Sequence, residues 1–244
     1  MKQAVRFSVV MALWALPLQA AKQPEAAQTP QANYVAEVFA APNFAPHMQR
    51  LQSQRLTADD ASADLMAQLS RVKSFSAHYQ QQVFDNQQQL LQQGQGVLLL
   101  QQGGFFRFES TEPEPALLVS DGQSLWFYNE LLEQVSIYDA KSEVGQTPFA
   151  LLTSADTALW QDYQVTMQQQ QFYIHPLDSN NPVQQLVLQF SDDILQQMQV
   201  IDINQQQSVF MFSQAKLNPV LAKETFHFTV TPELDVDDQR LREN

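Results

Sequence analysis

Four histidines and two pairs of neighbouring aspartates are the residues whose side chains could bind a metal ion or transfer protons. The histidines are scattered along the chain and form no zinc or iron spacing: His47, His78, His175 and His227. Asp192-Asp193 and Asp237-Asp238 lie in no loop with calcium-ligand spacing. The chain has no cysteine, no phosphate-binding glycine loop and no Gly-x-Ser-x-Gly elbow. We therefore expect neither an enzyme nor a protein that uses a metal or cofactor.

Large aromatic residues around a predicted hairpin favour binding of apolar groups instead. Between Leu117 and Tyr138, two strand-like runs flank Asp121-Gly122, a pair typical of a type I′ turn with positive φ at both central residues. The second run, Leu125 to Tyr128, is large and apolar or amphipathic on both faces. Each face of this sheet should therefore be covered. We expect helices of the same chain on one face, and a ligand could cover the other.

The N-terminus is typical of a secretory signal peptide spanning residues 1–20. Lys2 and Arg6 precede the apolar run Phe7–Leu18, and the small residues Ala20 and Ala21 follow, so cleavage is expected after one of them. A membrane anchor is the alternative, but the run is shorter than the roughly 20 residues needed to span a bilayer. Export without any cysteine suits a bacterial periplasm.

The formal charge of −13 argues against binding nucleic acid or anionic lipid surfaces.

Residues 21–59 are rich in Ala, Gln and Pro and are predicted to form a flexible extension. Its short apolar group between Tyr34 and Phe39 could dock on a partner or form only a transient helical turn. The folded domain is predicted to span residues 60–244. It begins with a helix that Ser62 could cap, and one face of that helix carries Leu65, Met66, Leu69 and Val72.

Strand signals dominate the rest of the chain. They cover residues 75–83, 94–100, 105–110, 116–120, 125–128, 135–138, 163–167, 172–175, 186–190, 197–201, 208–212 and 226–230. A short helix is predicted over 147–152, where Pro148 precedes clustered apolar residues. A sheet of about eleven twisted strands tends to curl. We therefore predict a mainly β fold with a few helices. Its incomplete antiparallel β-barrel is lidded by helices and encloses a hydrophobic cavity.

Several motifs occur in an order that resembles the LolA family of periplasmic outer-membrane lipoprotein carriers. They are Val72-Lys73-Ser74-Phe75-Ser76-Ala77, Gly94-Gln95-Gly96, Phe106-Arg107-Phe108, LVSDGQSLWFY from Leu118 to Tyr128, Glu133-Gln134, Thr147-Pro148-Phe149 and Val236-Asp237-Asp238-Gln239-Arg240. The resemblance runs from about Asp60 to the C-terminus. It implies a monomeric periplasmic chaperone whose cavity holds lipoprotein acyl chains. The family takes lipoproteins from an inner-membrane ABC transporter (LolCDE-type) and delivers them to an outer-membrane receptor (LolB-type).

The resemblance also implies a set of lipid-binding residues. Those expected on or near the cavity are Phe106, Phe108, Leu118, Trp126, Tyr128, Phe149, Leu151 and Leu152. Each could instead be an ordinary core residue, and the sequence leaves open which strand faces point inward. Phe106 matches a position important for the handover from the transporter, and Thr147 and Pro148 are expected to fix the start of the lid helix.

One position departs from the family pattern. Family members commonly carry an Arg-Pro pair before the Phe-x-aromatic strand, and the Arg latches the lid through hydrogen bonds. Gln102 and Gly103 stand there in this chain. Gln lacks the charge that strengthens such bonds, so we expect a more open lid.

Two other functions remain compatible with the sequence. The first is a lipoprotein-sensing regulatory protein on the same fold, although little chain remains for a second, regulatory domain. The other is a structural or envelope-interaction protein whose own side chains fill the cavity.

Overall fold

The computed structural model describes residues 58–140, 148–153 and 157–240. Helix α1 spans Ala58–Ser70, and the short helix α2 spans Pro148–Thr153. Two 3₁₀ helices cover Thr157–Asp162 and Lys223–Phe226. The predicted signal peptide and nearly all of the predicted extension lie outside the described residues. None of the helices in the described part of the chain is long and apolar enough to cross a membrane.

The predicted first helix is present, but Ser62 does not cap it. Helix α1 begins at Ala58, so Ser62 lies inside it. The apolar stripe that predicted the helix is confirmed: Leu65 and Leu69 are buried, together with Ala61. Hydrophobic spacing located the helix, whereas a serine compatible with a cap gave the wrong first residue.

Twelve strands occupy most of the described chain. They are β1 (Ser74–Phe84), β2 (Leu90–Gln101), β3 (Phe105–Glu112), β4 (Ala116–Asp121), β5 (Ser124–Asn129), β6 (Gln134–Asp139), β7 (Tyr163–Gln168), β8 (Gln171–Pro176), β9 (Val183–Ser191), β10 (Ile194–Asp202), β11 (Gln207–Leu217) and β12 (Asp235–Asp238). All belong to one sheet in the order β12-β6-β5-β4-β3-β2-β1-β11-β10-β9-β8-β7.

The sheet is antiparallel except at one edge, where β12 pairs with β6 in parallel. Its central contact joins distant parts of the chain, because β1 pairs with β11 and Phe75 lies opposite Leu217. The sheet curls around α1 and α2 but does not close on itself, since β12 and β7 lie at its two ends. The predicted mainly β, incomplete barrel is confirmed.

Buried apolar side chains form two clusters on opposite faces of the curled sheet. The inner cluster contains Leu65 and Leu69 of α1, Leu151 and Leu152 of α2, and the inward side chains of β1 to β5 and β7 to β11. The outer cluster joins β4, β5 and β6 to Phe226. In β1, alternate residues are buried from Phe75 to Val83, as the period of a strand requires.

The strand predicted over 226–230 does not form. Phe226 is fully buried and Phe228 is partly buried, whereas His227 and Thr229 are exposed. This alternation gave a strand-like pattern because the segment is extended. It lies across the outer face of the sheet, however, where Phe226 packs 5.8 Å from Phe105 and Phe228 packs 5.2 Å from Tyr128. A segment on the face of a sheet has no neighbouring strand with which to form a hydrogen-bonded ladder.

The hairpin predicted around Asp121-Gly122 is present, but its turn is not type I′. Only Gly122 has positive φ, at 83°. The loop residues are Gly122 and Gln123, and Gly at the first position with positive φ is the pattern of a type II′ turn. The Asp121 carboxylate holds the turn from its side by accepting hydrogen bonds from the Gln123 and Ser124 amides at 2.9 and 2.8 Å.

Candidate functional site

The inner face of β2, β3 and β4 is a continuous apolar surface. Phe106 lies opposite Leu100, and Phe108 lies opposite both Leu98 and Leu118. All five side chains are buried in the inner cluster, and Phe106 is completely inaccessible. Strand alternation puts Phe106 and Phe108 on one face because they are two residues apart. The structure therefore brings together three of the predicted cavity residues, Phe106, Phe108 and Leu118.

Aromatic rings from β1 and β11 extend this surface. Tyr79 stacks on Phe108 with ring centroids 4.6 Å apart, and Phe210 meets these two rings edge-on at 5.7 and 6.0 Å. Phe75 meets Phe212 edge-on at 5.8 Å. Sequence reasoning did not include these β1 and β11 residues in the site. Their two-residue spacing was visible, but the pairing of β1 with β11 that joins them was not.

The Tyr79 hydroxyl is the polar end of this aromatic group. It donates a hydrogen bond of 3.3 Å to the Glu109 carbonyl of β3. To do so the side chain crosses Gly96 of β2, where a Cβ would lie 1.8 Å from the same carbonyl oxygen. Burial raises the pKa of Tyr79 above its usual range. Tyr79 therefore presents a neutral ring to the interior at physiological pH.

The two helices close the apolar face from the inside of the curl. Helix α1 packs along β7. Leu151 and Leu152 of α2 are nearly inaccessible within the inner cluster. These two predicted cavity residues therefore lie with Phe106 and Phe108. Phe149 is in α2, but its side chain and all of Thr147 lie outside what the structure describes.

A backbone hydrogen bond ties the end of α2 to the β2–β3 turn. The Gly103 amide donates to the Thr153 carbonyl at 3.1 Å, and the neighbouring Gln102 amide donates to the Lys73 carbonyl at 2.9 Å. Gly103 and Gly104 both have positive φ, at 98° and 81°, which glycine adopts at little cost. The predicted latch position, Gln102, thus lies in the turn that holds α2, and the bond from this turn to Thr153 comes from the next residue's backbone.

A second turn supports the first one. Gly122 lies so close to the β2–β3 turn that a Cβ at this position would be 2.7 Å from the Gly103 carbonyl oxygen. The reverse contact is looser, because a Cβ added to Gly104 would lie at an ordinary 3.5 Å from the Gly122 Cα. We call the assembly of turn 102–104, turn 122–123 and Thr153 the lid contact.

Trp126 and Tyr128 do not share the inner face. They pack in and against the outer cluster, whereas Leu125 and Phe127 of the same strand face the inner cluster. Trp126 lies 5.0 Å from the His227 ring, beneath the segment that covers the outer face. The expectation that these two aromatics lie on the cavity side is therefore corrected. The motif LWFY of β5 places large residues on both faces of the strand, so the residue types do not show which face points inward.

The apolar interior reaches the surface beside α1. A cavity of about 320 Å³ there is lined by the apolar side chains of Met167, Phe172 and Phe190 together with polar side chains: Asp64, Gln68, Gln170 and Asp192. Phe172 belongs to the inner cluster, and Met167 and Phe190 pack against it. Arg71 and Asp193 also line this cavity and form an exposed ion pair of 2.8 Å.

The polar residues considered first form no reactive constellation in the described part of the chain. Asp193 pairs with Arg71, and Asp238 pairs with Arg240. His175 contacts Gln185, and His227 lies 3.9 Å from Asp121. Among the residues that the structure describes, no group of three or more metal-ligating side chains comes together. The described residues assemble an apolar surface instead, the inner face of β2, β3 and β4.

Comparison with known proteins identifies the family. Residues 70–229 match the family model of the outer membrane lipoprotein carrier protein LolA. The outer-membrane lipoprotein carrier protein of Pseudoalteromonas translucida is 38% identical over 185 residues, covering 75% of this chain and 88% of the relative. That of Shewanella loihica is 37% identical over 186 residues, covering 76% and 88%. The chain belongs to the LolA family.

A solved LolA superfamily protein from Nitrosomonas europaea is 13% identical, with a TM-score of 0.41, covering 69% of this chain and 98% of that one. The matched range of the family model runs in our chain from the end of α1 through the segment over the outer cluster. It therefore contains the whole lid contact and strands β1 to β11, whereas the α1 residues of the inner cluster lie before it. The resemblance noted from the motifs is confirmed at the level of the family.

The C-terminal motif of this LolA-family chain lies beyond the matched range and has its own structural role. Its residues form β12, which adds to the edge of β6, and the Gln239 amide continues the pairing with a 2.8 Å bond to the Ile137 carbonyl. Arg240 pairs with Asp238 and reaches the Ser124 hydroxyl at 3.4 Å. The motif covers an otherwise open strand edge and contacts the start of β5.

Proposed function

We propose that this protein is a periplasmic chaperone that carries lipoproteins by sheltering their acyl chains. It receives them from an inner-membrane ABC transporter and delivers them to an outer-membrane receptor, with no covalent chemistry. The observation that carries the proposal is the inner apolar face of Phe106, Phe108 and Leu118, covered by Leu151 and Leu152 of α2. The carrier names of the family relatives support the same role.

The free energy of exposing an acyl chain explains why a carrier is needed. Burying one methylene is worth about 0.8 kcal/mol, so an acyl chain of about 16 carbons costs on the order of 10 kcal/mol to expose to water. Spontaneous crossing of an aqueous compartment is therefore very slow. A protein that replaces membrane contacts with its own apolar surface removes most of that cost.

The side chains of α2 explain how the inner face can exclude water and still accept a ligand. Leu151 and Leu152 occupy the interior, so the inner face is covered by the protein itself. We infer that acyl chains displace α2 and take the place of its leucines against Phe106 and Phe108. Because α2 is only six residues long, its displacement disrupts little helix. The loss of the leucine contacts is then offset by contacts with the ligand.

The test is native mass spectrometry of the exported protein after incubation with inner-membrane vesicles that contain a lipoprotein and its ABC transporter. We expect a soluble one-to-one complex that requires ATP and is lost in Phe106→Glu. Met211→Glu is the matched control, because Met211 is an exposed apolar residue of β11. If no complex forms although the transporter hydrolyses ATP, the carrier role fails and the sensing or structural role replaces it.

A photoreactive phenylalanine analogue locates the site without burying a charge. Placed at Phe108 it should crosslink to the acyl chains, and placed at Tyr128 it should not, because the two positions lie on opposite faces. Equal crosslinking from both positions would contradict the assignment of the inner face.

We also propose export to the periplasm with cleavage after Ala20 or Ala21. The expected mature N-terminus is Ala21 or Lys22, and the mass of the exported protein measures it. A mature protein that retains Phe7–Leu18 would contradict cleavage and favour the membrane anchor.

A further inference from the structure

Five turns lie at the same end of the strands, opposite to the lid contact. They connect β1 to β2, β3 to β4, β5 to β6, β8 to β9 and β10 to β11, and they comprise residues 85–89, 113–115, 130–133, 177–182 and 203–206. The lid contact lies at the opposite ends of the same strands, because β2 runs from Leu90 to Gln101 and β4 from Ala116 to Asp121. We call these five turns and the residues beside them the distal rim.

Hydrogen bonds join the five turns in two groups, one of turns 85–89, 177–182 and 203–206 and the other of turns 113–115 and 130–133. The Ile203 amide donates to the Pro182 carbonyl at 2.9 Å, and the Glu130 amide donates to the Pro115 carbonyl at 3.4 Å. The Gln88 side chain donates to that of Gln207 at 3.2 Å. The turns within each group therefore hold one another in fixed relative positions.

The distal rim exposes an unusual number of large apolar side chains. Ten such side chains are highly exposed among the described residues, and six of them lie at this end. These are Leu90, Leu91, Leu131, Leu132, Leu177 and Ile203. Leu131, Leu132 and Leu177 are each more than 60% exposed, at 62%, 66% and 67%. Scattered exposed leucines are ordinary, but their concentration at one end of a molecule is typical of an interaction surface.

The charge of the distal rim has one sign. Acidic side chains surround the apolar ones: Asp85, Glu112, Glu114, Glu130, Glu133, Asp162 and Asp178. No Lys or Arg occurs in the five turns. The basic residues of the described part of the chain lie at, or nearer to, the lid end: Arg71, Lys73, Arg107, Lys216, Lys223 and Arg240. The molecule therefore presents an acidic, apolar end and an end that carries its positive charge.

We propose that the distal rim is the docking site for a protein that presents an apolar centre surrounded by Lys and Arg. Charge complementarity selects this occupant, because acidic residues flank the exposed leucine pair at Glu130-Leu131-Leu132-Glu133. Anionic lipid is repelled by the same charges. Opposite charge speeds the encounter, and the exposed leucines supply the contact that loses water on binding.

The position of the distal rim has a further consequence. A partner bound there leaves the lid contact and α2 uncovered, because the length of the strands separates them. Docking at this end can hold the protein while α2 moves. This inference rests on the surface alone and stands whether or not acyl chains are the ligand of the inner face.

The probe is a synthetic amphipathic peptide of about 14 residues made only of Leu and Lys, matched by a peptide with Glu in place of every Lys. Both are titrated into the isotope-labelled full chain lacking the predicted signal peptide, and amide chemical shifts are recorded. We expect the Lys peptide to shift amides of turns 85–89, 130–133, 177–182 and 203–206, and the Glu peptide to shift none of them.

Two pairs of substitutions separate the apolar and the electrostatic contributions. Leu131→Ser with Leu132→Ser, and independently Glu130→Lys with Glu133→Lys, should each weaken binding of the Lys peptide at least tenfold. Val220→Ser with Met211→Ser is the matched control, because these side chains are exposed outside the distal rim and should leave affinity unchanged. All six positions are exposed, so the fold is expected to survive.

Other outcomes overturn the proposal. Shifts centred on Phe106 and α2 would mean that the peptide enters the inner face. Rim shifts that depend on protein concentration would assign the surface to a second copy of the chain. Rim shifts caused by Tyr34→Ser with Phe39→Ser would assign it to the chain's own N-terminal segment. Equal binding of the Lys and Glu peptides, or no binding of either, would show that the acidic residues of the distal rim do not select a basic partner.

Discussion

Gly122→Ala is predicted to weaken the lid contact, although Gly122 makes no direct contact with α2. The substitution places a Cβ 2.7 Å from the Gly103 carbonyl oxygen, and a contact that short forces one of the two turns to move. Movement of the β2–β3 turn disturbs the 3.1 Å bond from the Gly103 amide to the Thr153 carbonyl at the end of α2. The lid contact therefore weakens through a residue that makes no hydrogen bond to α2.

Gly104→Ala is the control that isolates the steric effect. Gly122 and Gly104 both have positive φ, 83° and 81°, so alanine strains the backbone at each position. A Cβ on Gly104 meets only the Gly122 Cα, at an ordinary 3.5 Å. Loss of one neutral hydrogen bond is worth about 1 kcal/mol. We therefore expect Gly122→Ala to cost about 1 kcal/mol more than Gly104→Ala in the free energy of unfolding.

Urea denaturation measures the difference in stability, and native-state hydrogen exchange locates it. A loss of about 1 kcal/mol at the lid contact corresponds to roughly fivefold faster exchange of the Gly103 amide in Gly122→Ala than in Gly104→Ala. Equal unfolding free energies and equal exchange of that amide in both variants would refute the reasoning, because they would mean that the two turns separate at no cost to α2.

Three further predictions concern other parts of the molecule. Burial raises the pKa of Tyr79, so the unfolded chain loses this proton first and the stability falls as pH rises above about 10; Tyr79→Phe should lose less stability there, and parallel pH–stability curves would contradict this. Gln102→Arg is expected to slow hydrogen exchange of the α2 amides by supplying a charged donor, and equal protection in both forms would disprove the open-lid hypothesis. Phe226→Ala should lower the free energy of unfolding, measured by urea denaturation, by about 3–5 kcal/mol because it leaves a cavity in the outer cluster. Acyl-chain crosslinking from Phe108 should persist in this variant. A loss below about 1 kcal/mol would show that the segment over the outer face contributes little to stability.

Local patterns predicted most of the secondary structure for clear physical reasons. Alternation in 75–83 reported burial on one face of β1, and helical spacing of Leu65 and Leu69 reported the buried stripe of α1. The same alternation in 226–230 failed, because an extended segment lying on a sheet has the burial pattern of a strand without its hydrogen bonds. Burial pattern therefore identifies extended chain, and only the neighbours decide whether it is a strand.

The candidate site was predicted in part. Phe106, Phe108 and Leu118 share a face because of their spacing and the β3–β4 register, and these were recognised from the motif. Trp126 and Tyr128 were placed on the cavity side from the family resemblance, whereas they pack on the outer cluster. Both faces of β5 carry large residues, so the residue types do not indicate which face points inward. Tyr79 and Phe210 meet through a pairing of strands more than 100 residues apart, which no local spacing can indicate.

The open edges of the sheet determine how the wall of this protein can deform. In a closed barrel every strand has two hydrogen-bonded neighbours, so widening the circumference means breaking a ladder whose bonds are each worth about 1 kcal/mol. Here the ring is interrupted between β7 and β12, and α1 packs along β7 through side chains. Apolar side-chain contacts are not directional, so α1 and β7 can shift against each other at a small cost in free energy. The two edges of the sheet can therefore move apart or together while every strand pair remains intact.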